Sequence, residues 1–529
     1  MFSSKATKAA GAGSSAAAAA AAPSATPPNT PRDFDVVVYG ASGFTGRLVC
    51  EHLARDYSGK PNAKPAAEAP TVLPQTGNPK VRWAMAGRDE GKMSAVARDL
   101  AEKVWGDASL ASEVPLLVAD ANDGPALEKV AARTKVLLTT AGPYAKYGDA
   151  VVRAAVATKT HYCDLTGEVL WARRTAQALH QEASEAGVKV VCMSGFDSIP
   201  SELAAWISAN ELWKKTGKRA GRVVCAIGPT KGGFSGGTVA SGLNQARAED
   251  PAEVKRSFAD AYYLSHGVAP FTEGSEAAAL LPPRVDRPAP NGPLKTPLAQ
   301  RVAALVEASP GARDASKRIS PPAPYLAPFV MASINQKVVH RSEALWRLRE
   351  QETGQRQQSP FSPKGFTYLE AMGVPSLPVA VIVSAANLGI GAMFAFSPLR
   401  ALAEKTFLPA PGEGPSRELM LGGYWSHCAF AVADDEEEAR KAGKEPAVAV
   451  VALGDPNRDA GYFGTSRMLL ETGLCLALEE RACEEAGALG GGCLTPTTAT
   501  GAVPLVKRLR AAGLTIEVLA VDEGAAAAN

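Results

Sequence analysis

Apolar residues first gather at Phe34–Tyr39, a short valine-rich run. Glycines follow it, then an apolar-periodic stretch through Leu48, Val49, His52 and Leu53. Such a run fits a strand buried on both faces, and the spacing after it fits one side of a helix. The alternation continues with strand-like runs at Val81–Ala86, Val114–Ala119, Val136–Thr140 and Val188–Met193. Helix-like stretches lie among them at Lys92–Val104, Ala126–Arg133, Asp149–Ala157 and Val169–Ala186. Strands alternating with helices predict βαβ units and a mostly parallel sheet.

Beyond Ser201 the regularity fades. Val223–Ile227 reads as a strand of a second domain, Gly232–Gly242 is glycine-rich, and Leu281–Pro375 is crowded with prolines that predict long loops around short elements. Further on, Ala447–Leu453 reads as a strand, and Thr465–Glu484 and Val503–Ala512 as helices. Five prolines in Tyr57–Pro79 stop the preceding helix and predict a surface insertion. Residues 1–32 are Ala-, Ser- and Pro-rich and lack acids, which fits either a disordered extension or an organelle transit segment. The expected organisation is therefore a 1–32 extension, a first domain over 33–200, and a second over 201–529 with insertions at 281–375 and a hydrophobic segment at 377–399.

The length of 529 residues suits two to four domains, and 46% hydrophobic against 21% charged residues is a globular balance. With 56 basic and 54 acidic side chains the net charge is +2, which gives no field to attract nucleic acid. The eight cysteines form no CxxC pair and the six histidines no HExxH cluster, so no metal site is expected.

Chemistry enters at Gly40-Ala-Ser-Gly43-Phe-Thr-Gly46, between the first strand and the first helix. Gly40 permits a tight turn off the strand, Gly43 lets the backbone approach a pyrophosphate, and Gly46 allows close packing of helix on strand. The helix N-terminus offers N–H groups and partial positive charge to phosphates, with Ser42 and Thr45 adding hydroxyls and Phe44 lying within the same turn. That context makes a dinucleotide site of the Rossmann type. The second strand leads into Gly87-Arg88, where NAD sites carry an acid for the ribose 2′-hydroxyl. Arg88 suits a 2′-phosphate instead, and NADP is the expected cofactor; Asp89 beside it is the objection.

These segments resemble the saccharopine dehydrogenase-like oxidoreductases, especially the group that includes the trans-acting enoyl reductases. The matching stretches are Asp35–Arg47, Ala86–Arg88, Thr140–Tyr144, His161–Glu168, Gly195–Ser201, Ala327–Leu345, Gly422–His427 and Leu494–Gly501. The resemblance implies an α/β fold in which an N-terminal NAD(P)-binding Rossmann domain is joined to an α+β domain, inserted or appended. It also implies association with lipid droplets or membranes and a role in lipid or glycolipid metabolism.

Within the resembling stretches, Gly142 and Pro143 follow a strand end and can shape a loop under the cofactor's nicotinamide ribose. Tyr144 can donate a proton or make a structural hydroxyl bond. Asp164, Thr166 and Glu168 read as loop caps more than as acid–base catalysts, and Asp197 and Ser198 as a turn into a helix. No catalytic acid is identified. The cofactor-binding set is Gly40, Ser42, Gly43, Phe44, Thr45, Gly46, Arg88, Gly142 and Pro143.

Ala371–Leu399 runs for 29 residues without a charge, and its core Val379–Phe396 is borderline for a membrane span. A buried helix, a monotopic anchor at a lipid surface and a spanning helix all fit, with Arg400 and Lys405 suited to anionic headgroups. Two functions remain open. One is an NADP-dependent oxidoreductase acting on a lipid-type or other apolar substrate, held on the cytoplasmic face of a lipid droplet or membrane, or in an organelle if residues 1–32 are a transit segment. The other is a non-catalytic dinucleotide-binding protein that coats lipid.

Overall fold

The computed structural model describes residues 31–60, 80–232, 241, 250–281, 292–293, 297–314, 319, 323–354, 359–395, 398 and 413–524. The chain starts with six parallel strands: β1 (Phe34–Tyr39), β2 (Trp83–Gly87), β3 (Leu116–Val118), β4 (Thr134–Thr139), β5 (His161–Asp164) and β6 (Lys189–Val191). The helices α1 (Phe44–Asp56), α2 (Glu90–Leu100), α3 (Gly124–Ala131), α4 (Tyr144–Ala157) and α5 (Val169–Glu185) connect them. All six β1 residues are buried. Val36 and Val38 enter the core on one face, while Phe34, Val37 and Tyr39 enter the core on the other. Helices therefore cover both sides, as a sheet of continuous apolar strands requires.

From β6 the long helix α6 (Ile199–Thr216) leads into a second, mixed sheet. It contains β7 (Ala220–Ile227), β8 (Gly292–Pro293), β9 (Tyr325–Ala327), β10 (Thr367–Val374), β11 (Trp425–Ala433) and β12 (Val448–Asp455). Val223, Cys225, Ile227, Ala429 and Val451 face the core that holds Leu203 and Ile207 of α6. On the opposite face Val224, Phe430 and Val450 pack on Leu298, Val302 and Val306 of the helix Pro297–Ala308.

The chain then crosses back. The helix Thr465–Leu478 lies against the first sheet so closely that a Cβ on Gly473 would stand 2.4 Å from Leu138. After it β13 (Gly492–Leu494) pairs parallel with β6, and β14 (Thr515–Asp522) pairs antiparallel with β12. The first sheet runs β13-β6-β5-β4-β1-β2-β3 and the second β14-β12-β11-β7-β10-β9-β8. This corrects the expected boundary: residues 201–529 are not one separate domain, because their C-terminal part completes the first sheet. Buried charges fasten the return. Arg467 meets Asp56 and reaches Glu471 at 3.2 Å, and Arg508 bonds Glu471 and Glu479 at 2.8 and 2.7 Å.

Other expectations change as well. Residues 1–30 lie outside the described residues, but Arg32 belongs to the fold, donating to the carbonyls of Ala132, Thr158 (2.7 Å) and Lys159 (3.4 Å). Tyr57, placed in a surface insertion, is buried with its hydroxyl 2.7 Å from Glu471; residues 61–79 of that insertion are not among the described ones. Within 281–375 stands a 22-residue helix, Ala332–Thr353, because the prolines flank that stretch at Pro328 and Pro360 and leave its interior free. The uncharged segment is divided: Ala371–Val374 end β10, and Leu377–Ala395 form a helix. That helix docks lightly, with Val379, Ala380 and Val383 against Tyr325, Ala327 and Val374. Leu377, Val381, Ile382 and Leu388 stay 59, 61, 67 and 75% exposed, so the fully buried reading fails. Asn387 donates to the Pro328 carbonyl at 2.8 Å, which satisfies its amide within the protein. Among the described residues no helix is long and apolar enough to cross a membrane.

Candidate active site

The β1–α1 turn has the shape its glycines require. Gly40 sits at φ +84°, a left-handed conformation costly for any side chain, and its N–H donates to Ala86 of β2 at 2.9 Å. A Cβ on Gly46 would lie 2.3 Å from the Gly40 carbonyl and 2.8 Å from Thr140 Oγ1, so only glycine lets α1 pack this close to the strand ends. Around Gly43 a Cβ would meet the Gly40 carbonyl at 3.2 Å and nothing else among the described residues within 4 Å. No side chain caps α1 and no acid stands in its first turn. The N–H groups of that turn lack intrahelical partners and suit a pyrophosphate. Ser42 and Thr45 are half-buried there. Phe44 contributes backbone alone, because its ring packs edge-on against Tyr462 at 5.2 Å.

Pairing of Tyr39 with Ala86 brings the end of β2 beside this turn, and Arg88 follows it as an exposed residue. Among the described residues nothing hydrogen-bonds its guanidinium. Asp89 is engaged elsewhere: it is the N-cap of α2 and accepts the Lys92 N–H at 2.9 Å. The site thus offers a cation at the ribose position, and the acids near it are engaged, Asp89 at the start of α2 and Asp120 by the Asn122 N–H and Nδ2 at 2.9 and 2.8 Å, a fit to a 2′-phosphate.

Across the turn, Thr140 Oγ1 donates to the Gly40 carbonyl at 3.2 Å, which places the Thr140–Pro143 loop at the same edge of the sheet. Gly142 is exposed and Pro143 half-buried, so the residues expected to bind the cofactor lie together at the carboxyl ends of β1, β2 and β4. Tyr144 turns away from it. Its hydroxyl donates to the Thr139 carbonyl at 3.0 Å and its ring lies on Trp171. The Glu168 carboxylate takes the N–H groups of Tyr144 and Ala145 at 2.8 and 2.9 Å, capping α4 from another loop. Asp164, buried and pushed up to about 6 by that burial, accepts from Thr166 and Met193. These acids hold loops, as their spacing suggested.

The sequence reading missed a second group. The loop after β6 carries Met193 at φ +60°, a strained conformation for this side chain, and ends at Asp197. Phe196 of the same loop packs on Trp425 and His427 of β11 at 5.2 and 5.4 Å. Asp197 Oδ1 is buried with no hydrogen-bond partner among the described residues, and burial followed by the charge of Glu370 pushes the carboxyl up to about 7. Glu370, on β10, accepts from Asn335 Nδ2 at 2.8 Å and the Tyr368 hydroxyl at 2.7 Å. His427 is 1% exposed with both ring nitrogens unpartnered among the described residues, and burial lowers it to about 3. Only juxtaposition of the two sheets joins these residues, so local signals had nothing to report.

A doubly wound sheet with a phosphate-cradling turn and a facing polar cluster defines a dinucleotide-dependent oxidoreductase. Residues 66–191 match the model of the saccharopine dehydrogenase NADP binding domain. That match starts beyond the glycine turn, whose assignment rests on geometry. A Mycobacterium tuberculosis (strain ATCC 25618 / H37Rv) protein placed among the trans-acting enoyl reductases is 32% identical over 498 residues, covering 92% of this chain and 98% of its own. The trans-acting enoyl reductase of Mycobacterium bovis (strain BCG / Pasteur 1173P2) is 30% identical over 91% of this chain and 97% of its own. The chain belongs to this trans-acting enoyl reductase family of saccharopine dehydrogenase-like, NADP-dependent oxidoreductases. Among solved structures, apo saccharopine dehydrogenase (L-Glu forming) from Saccharomyces cerevisiae aligns over 92% of this chain and 99% of its own, at 14% identity and a TM-score of 0.39.

Proposed function

We propose that this chain reduces the carbon–carbon double bond of an enoyl group on a lipid-type acyl substrate, working at the cytoplasmic face of a lipid droplet or membrane. Family membership supports the reaction class and favours an enzyme over a non-catalytic coat. The observation that carries the lipid part is the helix Leu377–Ala395, which leaves Leu377, Val381, Ile382 and Leu388 exposed. Contiguous exposed apolar surface of this kind marks an interaction site. A helix lying in an interface buries such a face among acyl chains.

The division of labour follows from the geometry. NADPH, when bound, supplies the hydride. The α1 N-terminus would hold the pyrophosphate and Arg88 the 2′-phosphate. The Thr140–Pro143 loop would floor the nicotinamide end. The test is NADPH consumption with the N-acetylcysteamine thioester of trans-2-dodecenoate, with a saturated dodecanoyl thioester as control. Oxidation of NADPH by the enoyl compound alone is expected. Equal rates with both, or none with either, reject the reading.

A further inference from the structure

We infer that Asp197, whose buried Oδ1 has no partner among the described residues at the end of the loop that leaves β6, is the proton donor of the reduction. The inference rests on the enoyl reading above and adds the acid that the reaction needs. Hydride arrival at the β carbon of a conjugated thioester leaves an enolate. Its α carbon then takes the proton as the Asp197 O–H bond breaks, and the resulting carboxylate is reprotonated from solvent.

The placement comes first. Asp197 ends the loop that leaves β6 at the carboxyl edge of the first sheet, where a doubly wound fold binds its ligands. The loop is pinned. Ser198 N–H donates to the Met193 carbonyl at 3.2 Å, Ile199 N–H to the Gly195 carbonyl at 2.9 Å, and Phe196 N–H to Thr465 Oγ1 at 3.1 Å. With Phe196 wedged on Trp425 and His427, the loop that carries Asp197 is fixed against β11 of the second sheet.

The two acids differ in what surrounds them. Burial pushes the Glu370 carboxyl up as well, and two donors, from Asn335 and Tyr368, oppose that rise by favouring its charged form. Asp197 receives none at its buried Oδ1 among the described residues, so burial, with Glu370 as the lesser cause, pushes it up without opposition. His427, the titratable group facing the loop from β11, stays neutral through its burial and adds no opposing charge. An acid poised near neutrality is what proton donation at physiological pH requires. The strain at Met193, four residues earlier in the same loop, is of the sort that accumulates at functional positions.

Two readouts on Asp197→Asn and Glu370→Gln test this. In the apoprotein at neutral pH, the infrared difference spectrum of wild type minus Asp197→Asn should contain the C=O band of a protonated carboxylic acid. Its absence overturns the inference without reference to any substrate. With the dodecenoyl thioester, Asp197→Asn should lower kcat by about 100-fold or more, the usual weight of a general acid. NADPH affinity should stay within about twofold, since the residue is assigned no contact with the phosphates. Glu370→Gln should move the alkaline limb of the kcat profile to lower pH, because it removes the charge that adds to burial in raising Asp197. Unchanged turnover in Asp197→Asn, or an unmoved limb in Glu370→Gln, also overturns the inference. Wild-type protein that shows the band but leaves the thioester untouched overturns the enoyl reading instead, and the donor role with it.

Discussion

The Asp89 carboxylate accepts the N–H of Lys92 at 2.9 Å and so caps α2 instead of facing a ribose. The neighbouring Arg88 is left as the charged group at the end of β2. Arg88→Ala should therefore remove a charge-assisted contact worth about 1.5–3 kcal/mol to the 2′-phosphate. Calorimetry should show NADPH binding weakened about tenfold or more, with NADH binding nearly unchanged. Equal losses for the two cofactors would refute the assignment.

Gly46 tests the turn itself. A methyl group there would sit 2.3 Å from the Gly40 carbonyl, a backbone atom that cannot swing aside. Gly46→Ala should lower stability by about 1–3 kcal/mol, the range for overpacking, and weaken both cofactors because it displaces the phosphate cradle. Denaturant titration and binding on one sample separate the two effects. A stable variant with intact binding would show that helix and strand do not need this contact.

How much of this was readable depended on how local each feature is. β1 was legible over Phe34–Tyr39 because a strand covered on both faces must be a continuous apolar run. The glycine turn was legible because three neighbouring residues carry it. β10 was hidden, since Glu370 interrupts its apolar pattern and Ala371–Val374 were grouped with the uncharged stretch that follows. Asp197 was seen as a turn residue because Ser198, Ile199 and Pro200 do start α6, as that reading expected. Its chemical character comes from burial and from the charge of Glu370 on the second sheet, and no window of sequence contains those. The same holds for β13, three residues long, whose place in the first sheet depends on the crossing-back of the chain.

Arg467 joins that returning segment to α1, being buried between Asp56 and Glu471. Arg467→Met preserves much of the side-chain volume but leaves carboxylates buried without their counter-charge. Breaking a buried pair from one side costs about 3–5 kcal/mol, far above the effect of an exposed one. The expected result is a large fall in the urea midpoint. A change below about 0.5 kcal/mol would mean that water or Arg508 takes over the compensation.

The buried acid of Asp197 also makes stability depend on pH in a definite direction. Its folded pKa, about 7, lies above the ordinary value of 3.8. Between those values the folded state binds the extra proton, so this stabilising contribution is complete below about 4 and is lost as pH rises through about 7. At about 1.4 kcal/mol per pKa unit the total is on the order of a few kcal/mol. Asp197→Asn has no proton to lose. The stability difference, variant minus wild type, should grow more positive from pH 5 to pH 8, as followed by urea unfolding. A flat difference would mean that Asp197 ionises as freely in the folded protein as in the unfolded chain.

Val381 and Leu388 test the proposed lipid surface. Both lie on the helix Leu377–Ala395 with 61 and 75% of their surface exposed, so neither contributes to the core. On a lipid surface they would be among the first groups to leave water, each gaining on the order of 1 kcal/mol or more from burial. Val381→Asp together with Leu388→Asp reverses that gain and adds the cost of carrying carboxylates into an interface. In water the same changes touch only exposed positions, where substitutions usually stay within about 0.5 kcal/mol. The double variant should therefore keep its melting temperature and NADPH affinity while ceasing to float with phosphatidylcholine-coated oil droplets in a density gradient. Asn387 serves as the internal control: its amide already bonds the Pro328 carbonyl, so Asn387→Asp should disturb the docking of the helix and not only its lipid contact. If wild-type protein stays at the bottom of the gradient, the lipid surface is rejected outright. If the double variant floats as well as wild type, another part of the chain makes the contact.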